Sequence, residues 1–94
     1  MVFVAVQHKV KDFKSWKQVF DGFSLTRKSG GEQTYQIWRT EEDPNNLNLL
    51  FQWDNLKNAH TFMESAELKT TMQKAGVINH PRIEYLEEVG KGVL

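Results

Sequence analysis

The first ten residues place the tightest constraint on what this chain can fold into. Val2 to Val10 is rich in β-branched side chains and carries apolar groups on both faces of a strand. Val2, Val4, Val6 and Val10 share one face with His8; Phe3 and Ala5 share the other with Gln7 and Lys9. A strand that is apolar on both sides needs cover on both sides. The chain has only 94 residues to supply that cover. One domain is expected at this length, and it would bury only about 60–65% of its unfolded surface, so self-association gains weight. The opening apolar run, Val2-Phe3-Val4-Ala5-Val6, is shorter than the roughly 7–15 residues of a signal peptide core and the roughly 20 of a membrane span. It reads as a strand, and a cytoplasmic protein without membrane contact is expected.

The periodicity changes at Asp12, a good helix N-cap. Phe13, Trp16, Phe20 and Phe23 then form one helical stripe, with Val19 on its flank and Lys14, Lys17 and Gln18 facing water. Gly22 weakens the helix from within, so a kink or an early end is expected there, and Ser29-Gly30-Gly31 ends it in any case. Residues 33–41 alternate as a second strand, with Tyr35, Ile37 and Arg39 on one face. A turn over Glu42-Asp43-Pro44-Asn45-Asn46 leads into a third strand, Leu47 to Trp53, and the short link makes the pair an antiparallel hairpin. Asp54 or Asn55 caps the next helix, whose expected buried side is Leu56, Ala59, Phe62 and Met63. Ser65 caps a further helical stretch, Ala66 to Ala75, with Leu68, Met72 and Ala75 inward. Gly76 closes it, Val77 to Pro81 connects, and Arg82 to Val89 forms the last strand. The expectation is one domain over residues 1–89 and a tail over 90–94.

The order β-α-β-β-α-β predicts an α+β, ferredoxin-like domain: a four-stranded antiparallel sheet with its helices on one face. The other face keeps aromatic and branched residues from several strands. It is too apolar to leave in water, and a homodimer pairing two such faces follows.

Several segments together carry a resemblance: His8-Lys9-Val10-Lys11-Asp12-Phe13-Lys14-Ser15-Trp16-Lys17, Asp43-Pro44-Asn45, Phe51-Gln52-Trp53-Asp54, Ser65-Ala66-Glu67-Leu68, and Ala75-Gly76-Val77 ahead of Pro81. In these the chain resembles the dimeric α+β barrel superfamily, and within it small proteins similar to antibiotic biosynthesis monooxygenases and polyketide cyclases. The likeness runs to about Val89 and brings no catalytic signature. It implies a face-to-face sheet dimer with a cavity between helices and sheet in each subunit. The activities it implies are cofactor-independent oxygenation or cyclisation of a small aromatic or polyketide-like molecule. Fold alone does not choose among them, and a non-catalytic small-molecule-binding or dimerisation module is the rival reading.

Charge and residue content narrow the chemistry. Lys plus Arg and Asp plus Glu each total 12, for a net charge of zero, which argues against a nucleic-acid footprint. The absence of cysteine excludes disulfides, thiolate metal sites and cysteine nucleophiles. Glycine-rich phosphate loops and nucleophile elbows are absent too. The three histidines come from distant segments, and Glu41-Glu42-Asp43 reads as a solvated turn, so no metal site and no bound cofactor is expected.

His8 is the candidate general base, because it ends a strand just before the capped start of a helix. There a ring is expected to meet both cavity and water and keep a useful pKa; the alternative is a histidine bonded to backbone at a strand end. Trp16, Phe20, Arg39 and His60 are the candidate pocket residues. His60 is expected at the edge of the buried helix face and His80 at the surface. For Arg39 the alternative to a ligand contact is a salt bridge with Glu84 or Glu87 on the last strand.

Overall fold

The computed structural model describes residues 2–94. Its elements are β1 (Val2–Lys9), α1 (Phe13–Gly22), α2 (Ser24–Gly30), β2 (Glu32–Thr40), β3 (Asp43–Trp53), α3 (Leu56–Met63), α4 (Ala66–Lys74) and β4 (Arg82–Glu87). The strands form one antiparallel sheet in the order β2-β3-β1-β4, the ferredoxin-like arrangement. β1 is central, as its two apolar faces require.

Strand register sorts the side chains. Val4 lies between Phe51 of β3 and Tyr85 of β4, Val6 between Leu49 and Ile83, and His8 beside Leu47. On the far side of β3, Phe51, Leu49 and Leu47 stand opposite Tyr35, Ile37 and Arg39. This face meets the helices, and its core joins Val4, Val6, Leu47, Leu49, Phe51 and Trp53 to Trp16, Phe20, Ala59, Phe62, Met63 and Leu68. The opposite face carries Phe3, Ala5, Leu50, Leu86 and Trp38, and Trp38 is 50% exposed.

The helix starts follow the sequence closely. The Asp12 carboxylate accepts from Ser15 N at 2.9 Å, the Asn55 side chain from Asn58 N at 2.8 Å, and Ser65 Oγ from Leu68 N at 3.2 Å. The first helical stretch divides where Gly22 leads one to expect, into α1 and α2. The break falls at Phe23, whose N–H is shared between the carbonyls of Val19 and Phe20 just after Gly22. Gly31 ends α2 with φ of +123°, and a Cβ there would lie 2.4 Å from Asp54 Oδ1. Only glycine fits both the angle and the space.

Three local expectations are corrected. The hairpin turn is confined to Glu41-Glu42, and β3 begins at Asp43, so Asp-Pro-Asn is strand rather than turn. The carbonyl of Asn45 takes the N–H of Val10 at 2.9 Å, which ties this start to the end of β1. Leu56 is exposed rather than buried, and the core-facing stripe of α3 is Ala59, Phe62 and Met63. β4 ends at Glu87, before Val89, which is exposed.

Candidate functional site between helices and sheet

The helix-facing side of the sheet encloses a narrow cavity of about 60 Å³. Its walls come from Val6 and His8 of β1, Leu49 and Phe51 of β3, Trp16 and Phe20 of α1, Phe62 and Met63 at the end of α3, and Leu68 and Met72 of α4. Three predicted site residues, His8, Trp16 and Phe20, are thus brought together. The aromatic stripe of α1 forms a stack across one wall, with ring centroids 5.9 Å apart from Phe13 to Trp16 and 4.8 Å from Trp16 to Phe20.

His8 stands beside the middle ring of this stack, Trp16. It is 2% exposed, its ring stands edge-on to Trp16 at 5.8 Å, and neither ring nitrogen has a hydrogen-bond partner. The expectation of a ring touching water, with a pKa near neutrality, is therefore corrected. Burial lowers the His8 pKa from 6.5 to about 4, because imidazolium is disfavoured in apolar surroundings. The backbone-bonded alternative is excluded as well, since both nitrogens stand free. β4 pairs with β1 only as far as Gln7, so the sheet leaves one side of His8 to the connector rather than to a strand.

Arg39 and His60 lie outside the cavity lining. Arg39 is exposed, with its guanidinium 4.3 Å above the Phe13 ring. Its expected partners on β4 are out of reach, because β2 and β4 are opposite edges of the sheet with β3 and β1 between them. Glu84 pairs instead with Arg82 at 3.1 Å. His60 stacks on Tyr85 with centroids 3.8 Å apart, at the edge of the α3 buried face as expected, and its Nδ1 is 3.8 Å from Glu64. His80 is exposed in the connector. Among the described residues no three His, Asp or Glu side chains are grouped to hold a metal ion.

The structure adds a pair that the sequence reading missed. Arg27 is 4% exposed, its Nε is 3.0 Å from Glu32 Oε2, and both residues reach the cavity wall. The guanidinium lies 3.7 Å over the Phe20 ring and also donates to the Phe20 carbonyl. Burial pushes the Glu32 carboxyl up, against the pull of Arg27, and Glu32 Oε1 has no partner. Removing one member of such a buried pair typically costs about 3–5 kcal/mol, because the other is left charged and uncompensated. Arg27 continues the stripe of Phe13, Trp16, Phe20 and Phe23 at the next helical interval, and that spacing is the signal that could have found it.

Neither a protein-family profile nor a curated protein sequence matches this chain. Solved structures do. A Bordetella bronchiseptica protein assigned by name to the antibiotic biosynthesis monooxygenases superposes with a TM-score of 0.77 at 14% identity, over 94% of this chain and 96% of that one. SnoaB, a cofactor-independent oxygenase from Streptomyces nogalater, gives 0.76 at 10% identity, over 96% and 94%. A Caulobacter crescentus protein named like the first gives 0.73 at 19% identity, over 95% and 90%. This chain shares the α+β fold of the antibiotic biosynthesis monooxygenase-like proteins along nearly its whole length.

Proposed function

We propose that the chain is a homodimeric α+β barrel protein whose interior cavity receives a small aromatic or polyketide-like molecule, with His8 as the base in a cofactor-independent oxygenation. The observation that carries this reading is the His8 ring, buried against Trp16 with both nitrogens unpartnered at the wall of an otherwise apolar cavity. Buried polar atoms are nearly always hydrogen-bonded, so a ring left this way is supported by a guest that completes it. In such chemistry the ionised substrate is itself the reductant of dioxygen. The protein needs only an apolar pocket, a base and a few donors.

The low pKa of His8 restricts the guest. At neutral pH the ring is unprotonated, as a base must be. Taking a proton from an ordinary phenol, of pKa about 10, with a base of pKa about 4 is uphill by roughly 8 kcal/mol. The attraction between the resulting ions at about 4 Å returns roughly 4 kcal/mol at an effective dielectric constant of 20. About half of the deficit remains. The proton balance therefore favours guests more acidic than phenol that still carry reducing electrons, such as polyhydroxylated fused rings. His8→Gln keeps a hydrogen-bonding side chain but is no base. Measured as oxygen consumption with a panel of such compounds, it should lose about 100-fold or more of the parent's turnover. Unchanged turnover would remove His8 as the base.

The second copy belongs on the sheet face opposite the helices, where Phe3, Leu50, Leu86 and Trp38 are incompletely covered. Sedimentation equilibrium of the parent should give about twice 11.0 kDa. Trp38→Glu should give the monomer mass with the fold retained, because it charges that face without touching the core. A parent that sediments as a monomer overturns the dimer. The narrowness of the cavity favours the rival reading of a dimerisation module, since about 60 Å³ is less than a benzene ring occupies in an engineered cavity of about 150 Å³.

A further inference from the structure

We propose that the His8 cavity and an outer groove beside α4 are two chambers of one binding site, joined through a movable partition of Met63, Leu68 and Met72. The ligand class that fits both chambers is an aromatic molecule with an apolar ring system and a polar or anionic substituent at one end. This rests on the reading of the interior cavity as the guest site, and it says where the missing room comes from.

The groove has a volume of about 590 Å³ and lies between α4 and the chain from Val77 to Ile83. Met63, Leu68 and Met72 line the groove and the inner cavity alike, so a single layer of side chains separates the two. The inner cavity needs to grow before it accepts a ring, and most of its walls are fixed. Val6 and Leu49 are held in strands paired on both sides, and Trp16 and Phe20 are held by their own stack.

One other wall has open space behind it. Arg27 and Glu32 separate the cavity from a groove of about 610 Å³ on the far side. The two routes differ in what must break. Parting Arg27 from Glu32 strands two buried charges and a bond to the Phe20 carbonyl. Turning a methionine aside changes only rotamers of an unbranched side chain. Met72 is only half-buried, and Met63 is the last residue of α3, beside the break at Glu64. The methionine wall is the one that opens.

The outer chamber sets the other half of the ligand. Lys69, Gln73, Asn79 and His80 line it, and no carboxylate does. Asn79 Oδ1 already accepts from Lys9 N at 2.8 Å, which fixes that side chain and leaves its amide hydrogens to the groove. The surroundings suit a polar or anionic substituent left outside while the rings pass inward towards His8.

The test is stopped-flow quenching of tryptophan fluorescence by 2-hydroxy-1,4-naphthoquinone, with the full chain and with melting curves to verify the fold of each variant. Met72→Ala should raise the association rate about fivefold or more. Met72→Ile, similar in size but stiff at its branch point, should lower it by a similar factor. Lys69→Glu, exposed and far from the core, should weaken the ionised quinone at least threefold and leave neutral 1-naphthol unchanged. Rates within twofold of the parent in both Met72 variants, with the quinone still shifting the His8 ring resonances, would overturn the partition and leave the cavity reading intact. So would equal loss of both compounds in Lys69→Glu for the ligand class. His8 resonances unmoved by the quinone in the parent and in Met72→Ala would overturn the cavity reading and the partition with it.

Discussion

Trp16→Ala should lower stability by about 3–5 kcal/mol, the usual cost of removing a fully buried large aromatic. The ring is 3% exposed and touches Phe13, Phe20 and His8, so its loss breaks the stack at its centre. For a domain of this size each kcal/mol moves the melting temperature by roughly 4–8 °C, so the variant should melt at least about 12 °C below the parent. Total stability in small domains is only about 5–15 kcal/mol, so this loss takes away a large share of it. A variant melting within a degree or two of the parent would mean that Trp16 lines open space and that the cavity is much wider than about 60 Å³.

Acid should destabilise the protein through His8, with a sign fixed by the direction of its shift. The folded pKa, about 4, lies below the unfolded value of 6.5. Above pH 6.5 neither state is protonated and the full stability is present. Between about pH 6.5 and 4 the unfolded chain binds a proton that the native state refuses, so stability falls as pH falls, and below about 4 the loss levels off. A shift of this size corresponds to about 3 kcal/mol over that window. Glu32 acts in the opposite sense, because its raised pKa makes the native state take up its proton first as pH drops. The His8 contribution is isolated by comparing urea unfolding of the parent and His8→Gln at pH 7 and pH 4.5. The parent should lose about 2 kcal/mol more than the variant, since pH 4.5 stops short of the full window. Equal losses would show that folding does not lower the His8 pKa below its unfolded value of 6.5.

Much of this arrangement is legible in the sequence because it rests on local rules. The caps at Asp12, Asn55 and Ser65 need only a side-chain oxygen three residues ahead of an amide, and the strand faces follow from strict alternation. The errors arise where tertiary structure overrides local preference. Asp43-Pro44-Asn45 has the composition of a turn, yet at the start of β3 Asn45 has its carbonyl taken by Val10, and the chain runs extended. A strand end is usually open, which makes His8 read as partly wet; the ring of Trp16, about one turn into α1, closes it off. Arg27 sits among Thr26, Lys28 and Ser29 and reads as solvated by composition. Its burial depends on Glu32, which arrives only because Gly31 turns the chain. Arg39 reads as a partner of β4 carboxylates because sequence shows which face a residue takes but not which strands are edges.

The central claim is that His8 is held neutral in a buried, apolar cavity until an acidic aromatic guest supplies the charge it pairs with. Nitrogen NMR of the His8 ring at pH 7, with and without 2-hydroxy-1,4-naphthoquinone, tests it directly. The free protein should show a neutral imidazole that titrates only near pH 4. With the quinone bound, both ring nitrogens should move to imidazolium positions at the same pH, because the guest's anion stabilises a proton that the ring takes up from solvent. A free ring that titrates near 6.5, or a ring that stays neutral with the quinone bound, would contradict the account.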